Sequence, residues 1–377
     1  MLVRSLSLAR SILKRTGLLP VVKRILYRPT DAGAYRQPAA GLRYRLKLLI
    51  EQGIYASVEQ VHDVPAIEHY CSEKYLAPLV QSFGFRTDDD FFVGELVEAM
   101  DRCPGPHRIL SVGSGNCDTE IRFAERLRAA GRRDFVIECM DINAEMLRRG
   151  SAQAKREGVG EFIVPMRADF NAWQARGRVY TAVIAYQSLH HVVNLEGLFD
   201  AIRDALLSEG IFITSDMIGR NGHMRWPEAH EIVNEFWRRL PASYRYNHLL
   251  GATTDEYVNF DCSKAGFEGI RAQDILPLLL ERFSFKVFIP FRNVLDAFID
   301  RGVGPNFDPE RVWDRDFIDQ VHAADVAAIE NGRIKPTHLL ASMTIHPLFT
   351  CRFPGNLSPT FCVRRPELHD PPEASGR

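Results

Sequence analysis

The sequence predicts an α/β protein built on a seven-stranded, mostly parallel sheet with helices on both faces. Between residues 107 and 214, short β-rich runs alternate with amphipathic stretches of about 10–15 residues, which is the pattern of βαβ units. The composition, 46% hydrophobic and 25% charged over 377 residues, supplies enough apolar material for a large core and excludes a wholly disordered chain.

The core is predicted over 104–348, after the break at Pro104-Gly105-Pro106. Its predicted strands are 108–112, 135–140, 162–167, 179–185, 211–215, 285–290 and 338–345. Its predicted helices are 118–130, 143–157, 195–207, 272–282 and 309–331. Crossovers between parallel strands are right-handed, so this order leaves few possible topologies.

Three segments flank or interrupt this core. Apolar residues at helical spacing predict a helical N-terminal extension over 31–103. Residues from about 216 to 270 lack strand periodicity and predict a helical cap inserted after the fifth strand. The segment 349–377 collects five prolines and predicts a tail with little fixed structure.

Residues 1–30 form a basic amphipathic segment with seven basic and no acidic side chains. Such a segment can lie on an anionic membrane surface, so peripheral contact with the inner face of the membrane is one interpretation. Packing on the protein's own body is the other. A secretory signal fits poorly, because Arg10, Lys14 and Arg15 interrupt any apolar region.

Charge and cysteine usage narrow the class of protein further. The net charge of −1 gives no general basic surplus, so nucleic acid is not an expected partner. Seven cysteines without a CxxC spacing fit neither a disulfide framework nor a zinc site. No apolar run reaches the roughly 20 residues of a membrane span, and a cytoplasmic protein is predicted.

The strongest local signal is a glycine turn at 109–118, where an apolar strand runs into Gly113-Ser114-Gly115 and a helix follows. Glycines let the backbone adopt positive φ and let a ligand approach closely. The exposed N–H groups of the following helix favour an anionic group. Alone, this motif is weak, because ordinary tight turns also contain it.

Asp141 strengthens the signal, since it ends the next strand 26 residues after Gly115. A carboxylate at a strand tip can accept both hydroxyl hydrogens of a ribose. The alternative is that Asp141 only caps the helix that begins near Asn143. Similarly, Asp169 at the end of the third strand can accept from an adenine amine beside the Phe170 ring, or be an ordinary loop acid.

Together these residues resemble the class I S-adenosylmethionine-dependent methyltransferases, over roughly residues 80–348. The members share a G-x-G-x-G turn, an acid ending strand two, an Asp–hydrophobe pair after strand three and an L-H-H stretch after strand four, here Leu189-His190-His191. The resemblance implies a Rossmann-like fold and S-adenosylmethionine as cofactor. The cofactor-binding residues that it implies are Gly113, Ser114, Gly115, Asp141, Ile142, Asp169, Phe170 and Gln187.

Two positions depart from the family pattern. Ser111 stands where the family often has an acid, and Cys117 replaces the third glycine. They leave open a module that binds S-adenosylmethionine without transferring its methyl group. A nicotinamide-dependent oxidoreductase is a further alternative, but Asp118 at the helix start would repel a pyrophosphate.

The acceptor is expected at the carboxyl ends of strands four and five, where open α/β sheets bind ligands. An oxygen acceptor requires proton removal, for which histidine is suited. His191 and His223 are the preferred bases among the candidates His190, His191, Asp216 and His223. No metal site is predicted, because His223, His230 and Asp216 match no tight metal motif.

The predicted activity is therefore methyl transfer to a small-molecule, glycan or lipid-linked acceptor, most simply at oxygen. The cap and the N-terminal extension are expected to form the acceptor site. Four aromatic residues of the cap either line that site or cover the sheet: Tyr244, Tyr246, His248 and Tyr257. The sequence does not determine the oligomeric state.

Overall fold

The computed structural model describes Tyr44, Arg45, Leu48, residues 64–264 and residues 266–364. Its central feature is a seven-stranded sheet in the order β3 (163–167), β2 (135–141), β1 (107–112), β4 (180–186), β5 (206–217), β9 (338–344) and β8 (284–291). Neighbouring strands from β3 to β5 run parallel, whereas β9 pairs antiparallel with both β5 and β8. This sheet confirms the predicted α/β class and the Rossmann-like architecture.

The strands of this sheet are β1 His107–Val112, β2 Phe135–Asp141, β3 Ile163–Arg167, β4 Tyr180–Tyr186, β5 Leu206–Met217, β8 Ser284–Phe291 and β9 His338–Thr344. The two remaining strands, β6 Tyr246–Asn247 and β7 Ala252–Thr253, form a separate hairpin. The α-helices of the described residues are α1 Ala66–Cys71, α2 Ala77–Gln81, α3 Asp88–Arg102, α4 Asp118–Ala129, α5 Ala144–Arg156, α6 Leu195–Ala205, α7 Pro227–Trp237, α8 Ala272–Arg282, α9 Asp296–Ile299 and α10 Val312–Glu330.

The central strands are buried on both faces, as expected of a parallel sheet covered by helices. Along β1, Ile109 packs into one hydrophobic cluster and Leu110 into the other, and both are fully buried. Successive side chains of a strand point to opposite faces, so the two clusters lie on opposite sides of the sheet. Burial of both faces explains why these runs are nearly continuous in apolar residues.

The fifth strand is longer than its sequence pattern predicts. It begins at Leu206, directly after α6, rather than at residue 211. Glu209 is exposed within this early part, which hides the strand from a search for apolar runs. The extension pairs Leu206 with Tyr180, and the register then shifts before Ala182 pairs with Ile211.

The described part of the predicted N-terminal extension is helical. α1 and α2 are joined by a π-helical stretch, Ser72–Leu76, and α3 begins after Thr87, whose side chain accepts the Asp90 N–H. The basic segment 1–30 lies outside the described residues. No helix among the residues described is long and apolar enough to span a membrane.

The insertion after β5 is less helical than predicted. Its α-helix is α7, which begins with Pro227 at the first helical position, where the missing N–H of proline has no cost. The hairpin β6–β7 and irregular segments make up most of the rest. Cross-strand pairs this short have no periodicity to read in the sequence.

The prediction of a tail without fixed structure is wrong for residues 351–363. Phe288 N–H donates to the Arg352 carbonyl and Arg352 N–H donates to the Lys286 carbonyl, so the segment forms one bridge with β8. Cys362 is buried in the core cluster. Prolines disfavour regular helix and central strand, but they do not prevent an irregular segment from packing.

Candidate active site

The glycine turn follows β1 directly. Gly113 has φ +74° and Gly115 has φ +55°. The N–H groups of Gly113 and Ser114 both donate to the Met140 carbonyl, at 2.8 and 3.1 Å. A Cβ atom on Gly113 would stand 2.6 Å from the Cβ of Ser188, so the close approach of this loop requires glycine.

Cys117 occupies the position of the family's third glycine. It keeps the left-handed backbone, with φ +59°, and is buried at the start of α4. The chain thus retains the turn geometry at a non-glycine residue, which is a strained conformation for a side chain with a Cβ. The departure changes the side chain of the turn without changing its path.

Asp141 is tied to the glycine turn. Its Oδ2 accepts the Gly115 N–H at 2.9 Å, and its Oδ1 accepts the Asn143 N–H at 2.7 Å. Burial raises the pKa of the Asp141 carboxyl, although these N–H groups oppose the shift. Asn143, and not Asp141, caps α5 with its side chain, so the alternative of a simple helix cap does not describe this carboxylate.

Glu120 is a buried acid that no sequence motif singled out. Ser111 Oγ donates to its Oε1 at 2.5 Å, and its Oε2 is buried without a hydrogen-bond partner among the residues described. Burial raises the pKa of Glu120 to about 7. Ser111, at the position where the family often has an acid, therefore contacts the carboxylate of Glu120 on α4.

Replacing Glu120 by glutamine is expected to change how stability depends on pH. The unfolded carboxyl ionises near 4.5, whereas the folded one holds its proton to about pH 7. Folding stability of the unmodified chain therefore falls as pH rises from 4.5 to 7, by about 3 kcal/mol from this group. Urea unfolding of Glu120→Gln should lack this fall.

The matched control is the exposed Glu161→Gln, which should keep the full pH dependence. If Glu120→Gln and Glu161→Gln unfold with the same pH profile, Glu120 does not carry the buried proton.

The loop after β4 meets the glycine turn at the boundary between β1 and β4. From β1 the chain continues to β2 on one side, whereas from β4 it continues to β5 on the other side. Open α/β sheets bind ligands at such a point. Gln187 has φ +51° and its side chain lies 3.3 Å from Ser215 Oγ. Phe170 and Gln187 line the same cavity as the glycine turn.

Asp169 and Ile142 are placed differently from the other predicted cofactor residues. Neither is among the described residues that line the cavity. The Asp169 carboxylate accepts the Tyr44 hydroxyl at 2.8 Å and the Asn171 N–H at 2.9 Å. Tyr44, in the N-terminal extension, thus donates a hydrogen bond to the carboxylate that was expected to contact adenine. Contact between Asp169 and adenine stays a prediction.

Asp216, near the end of β5, organises the loop after β4. Its fully buried carboxylate accepts the backbone N–H groups of Ser188 at 2.9 Å and of Leu189 at 2.7 Å. It also contacts His190 Nδ1 at 2.7 Å. Asp216 is therefore a positioning residue that fixes both the loop and one face of the His190 ring.

Three histidines converge on one carboxylate beside this loop. Nε2 of His223 lies 2.8 Å from Glu268 Oε1, Nε2 of His190 lies 3.4 Å from the same oxygen, and Nε2 of His191 lies 3.6 Å from Glu268 Oε2. We call His190, His191, His223 and Glu268 the histidine–carboxylate cluster. Glu268 was missed from the sequence, because it follows no motif and lies 45 residues beyond His223.

The charges of this cluster are unequal. Burial disfavours the charged form of His190, but Asp216 and Glu268 outweigh burial and raise its pKa to about 10. Burial lowers the pKa of His191 to about 4, aided by the neighbouring His190. Burial also lowers the pKa of His223, against the pull of Glu268. His191 and His223 are therefore neutral near pH 7.

One cavity of about 870 Å³ joins the glycine turn to the histidine–carboxylate cluster. The predicted site residues that line it are Gly113, Ser114, Gly115, Asp141, Phe170, Gln187, His191 and His223. Asp118 and Glu120 line it too, at the start of α4. From the insertion, Tyr257 reaches the cavity, whereas the Tyr244 hydroxyl donates to Asp314 away from it.

A family model described as a methyltransferase domain matches residues 109–210. No curated protein sequence matches the chain. The matched segment runs from β1 into β5, so it contains the glycine turn, Asp141, and the loop that carries His190 and His191.

The solved structures that resemble this chain are distant. One is a geranyl diphosphate C-methyltransferase from Streptomyces coelicolor A3(2), 12% identical, covering 78% of this chain and 97% of its own, with a TM-score of 0.41. Another is an S-adenosylmethionine-dependent methyltransferase from Mesorhizobium loti, 14% identical over 66% and 96% of the two chains, with a TM-score of 0.36. The [4+2]-cyclase SpnF is 15% identical over 69% and 80%, also at 0.36.

These structural similarities are too distant to assign a substrate. The matched domain model, the strand order and the linked glycine turn and Asp141 agree with one another, and they confirm the resemblance that the sequence predicted. Residues 109–210 are therefore similar to a methyltransferase domain, and the seven-stranded sheet around them has the fold that this similarity implies.

Proposed function

We propose that this protein transfers the methyl group of S-adenosylmethionine to an oxygen of a small-molecule, glycan or lipid-linked acceptor. The main support for the proposal is a single cavity that is lined both by the donor-site residues and by the candidate bases. The glycine turn and Asp141 line one region of it, and the histidine–carboxylate cluster lines another. Such a cavity holds donor and acceptor together, and alignment of the two is the main task in an in-line displacement.

In this proposal the donor lies against the glycine turn. Asp141 accepts the ribose hydroxyls, because each of its oxygens has a lone pair beyond the backbone N–H that it already accepts. Phe170, Gln187 and Ser114, which line the cavity, surround the adenosyl group.

The methionine end of the donor would lie towards α4. Its ammonium group is placed beside Glu120, whose Oε2 has no hydrogen-bond partner among described residues. Asp118, at the first turn of α4, lines the same cavity and disfavours a pyrophosphate there. These acids favour a zwitterionic amino acid over a dinucleotide, and thus a methyl donor over a nicotinamide.

At the acceptor end, His191 and His223 are the candidate bases. Both are neutral near pH 7 and both line the cavity, so either can take a proton from an acceptor hydroxyl. The acceptor oxygen then forms a bond to the methyl carbon, while the sulfur–carbon bond breaks and leaves its electron pair on sulfur. The products are a methyl ether or ester and neutral S-adenosylhomocysteine.

The acceptor is proposed to be small or to have one small reactive end. A cavity of about 870 Å³ lies within the usual range for small-molecule sites, about 300–1,000 Å³. The net charge of −1 supplies no surplus for a nucleic acid. All seven cysteines are free, which supports a reducing, cytoplasmic location. Contact of residues 1–30 with an anionic membrane remains part of the proposal.

Isothermal titration with S-adenosylmethionine and with NADH separates the candidate classes. We expect binding of the sulfonium donor and no binding of the dinucleotide. Mass spectrometry of cell extract incubated with an isotopically labelled methyl donor then identifies the methylated product. Donor binding without labelled product in any fraction would favour the catalytically silent module instead.

Replacing Asp141 by alanine is expected to weaken S-adenosylmethionine binding by about 1.5–3 kcal/mol, which is about 10- to 100-fold in Kd. The reason is the loss of the hydrogen bonds that the ribose makes to a charged acceptor. Isothermal titration measures the change. Asp134→Asn, at an exposed position just before β2, is the control and should bind the donor normally.

Because Asp141 also holds the glycine turn, circular dichroism and urea unfolding must show that the variant is folded. A folded Asp141→Ala protein with unchanged donor affinity would refute the ribose contact.

A further inference from the structure

The histidine–carboxylate cluster has the geometry of a metal site. Its nearest pairs of potential ligand atoms, each formed by an imidazole nitrogen and a Glu268 oxygen, are 2.8, 3.4 and 3.6 Å apart. Ligand atoms of His190, His191 and Glu268 all lie within 4.8 Å of one another. Ligand atoms about 2.1 Å from a tetrahedral zinc ion are about 3.4 Å apart, which is close to the distances of His190 and His191 from Glu268.

The contacts of this cluster with Glu268 are of two kinds. The 2.8 Å contact of His223 is an ordinary hydrogen bond, which orients the carboxylate. The contacts of His190 and His191 to Glu268 are longer, at 3.4 and 3.6 Å, which is a separation suited to ligands on either side of one metal ion.

Asp216 supplies the second feature of a metal site. It contacts Nδ1 of His190, and this contact places the Nδ1 proton towards Asp216 and leaves Nε2 as the ligand atom. Metal-binding histidines are typically oriented by such a carboxylate. A divalent cation at Nε2 of His190 displaces the ring proton there, and it then faces the negative charges of both Asp216 and Glu268.

We propose that Nε2 of His190, Nε2 of His191 and the Glu268 carboxylate bind one divalent transition-metal ion, best matched by Zn²⁺. Two imidazole nitrogens and one carboxylate are a donor set suited to zinc and poorly suited to Mg²⁺, which prefers oxygen ligands. The sequence motifs predicted no metal here, because the candidate set of His223, His230 and Asp216 omitted Glu268. His230 lies elsewhere, 3.1 Å from the Tyr257 carbonyl.

The consequence for catalysis rests on the proposed function. His190, His191 and Glu268 line the cavity, so a metal ion held by these three groups would have a fourth position that an acceptor hydroxyl can take. Coordination favours loss of the hydroxyl proton to water, and the resulting oxygen anion attacks the methyl carbon. The coordinated imidazoles then hold the metal rather than accept the proton.

Metal titration tests the inference without any enzymatic assay. The full chain is stripped with a chelator, dialysed, and titrated with Zn²⁺ by calorimetry, with bound zinc counted by elemental mass spectrometry. We expect one Zn²⁺ per chain, at least tenfold weaker binding by Glu268→Gln, and no comparable binding of Mg²⁺. Co²⁺ in place of zinc should give the visible absorption of a tetrahedral complex.

The control is His248→Gln, which removes an imidazole that contacts Asn306 outside the cluster. It should bind zinc like the unmodified chain, and circular dichroism should show both variants folded. Equal zinc affinity in the unmodified and Glu268→Gln chains, or no stoichiometric zinc in the unmodified chain, would overturn the inference.

Titration of the same samples with S-adenosylmethionine separates this inference from the proposed function. Zinc binding without donor binding would support the metal site and reject the methyl transfer. Donor binding with no zinc binding would reject the metal site and leave methyl transfer standing.

Discussion

Asp216→Asn is expected to destabilise the protein by about 3–5 kcal/mol, the range for removing one partner of a buried ion pair. The fully buried carboxylate pairs with His190 and accepts backbone N–H groups through both oxygens. An amide of the same shape directs an NH₂ group at some of these donors. Those donors then lose their acceptor in a place that water does not reach.

Urea unfolding at pH 7 measures this loss. Asp200→Asn makes the same chemical change in an exposed ion pair, where Arg282 Nε lies 2.9 Å from the carboxylate. That control should cost less than about 1 kcal/mol, because solvent screens surface pairs. If the two variants unfold alike, the loop after β4 does not depend on Asp216.

Gly113→Ala is expected to cost about 2–4 kcal/mol and to weaken S-adenosylmethionine binding at least tenfold. Alanine at φ +74° is strained, and its Cβ would stand 2.6 Å from the Cβ of Ser188. Relief of this overlap requires the turn or the loop after β4 to move. Both line the cavity, so the movement alters the donor site as well as stability.

Gly131→Ala separates strain from overlap. Gly131 has φ +82°, a Cβ added there would have no atom within 4 Å, and the residue lies beyond the end of α4. This control carries the backbone strain alone, about 1 kcal/mol, and should bind the donor normally. Urea unfolding and calorimetry of both variants give the comparison. Equal losses of stability would show that contact with Ser188 is not the reason for glycine at 113.

Strand periodicity and turn residues were sufficient to predict the sheet. The boundaries of β2 and α8 agree with the predicted ranges to within a residue, because each is a long apolar run with clear ends. The early start of β5 was not predictable, since the exposed Ser208 and Glu209 separate Leu206, which pairs with Tyr180, from the apolar run that begins at Ile211. The bridge of Arg352 to β8 was likewise not predictable, because backbone bonds to an edge strand need no apolar pattern.

Some contacts of the candidate site could likewise be predicted from the sequence, and others could not. Gly113, Gly115 and Asp141 lie within one βαβ unit, so their spacing along the chain already indicated that they meet. Asp169 also fits the spacing, but Tyr44, 125 residues away, donates to it. No local pattern reports a contact of that range.

Local periodicity and residues close together along the chain were enough to predict the sheet, the glycine turn and the resemblance to S-adenosylmethionine-dependent methyltransferases. The positions of the charges became known only from the folded chain, which places Glu120 beside Ser111, Asp216 next to His190, and Glu268 among three histidines. Glu268 lies far along the chain from His190 and reaches it only through the folded insertion, and burial there sets the protonation of each group.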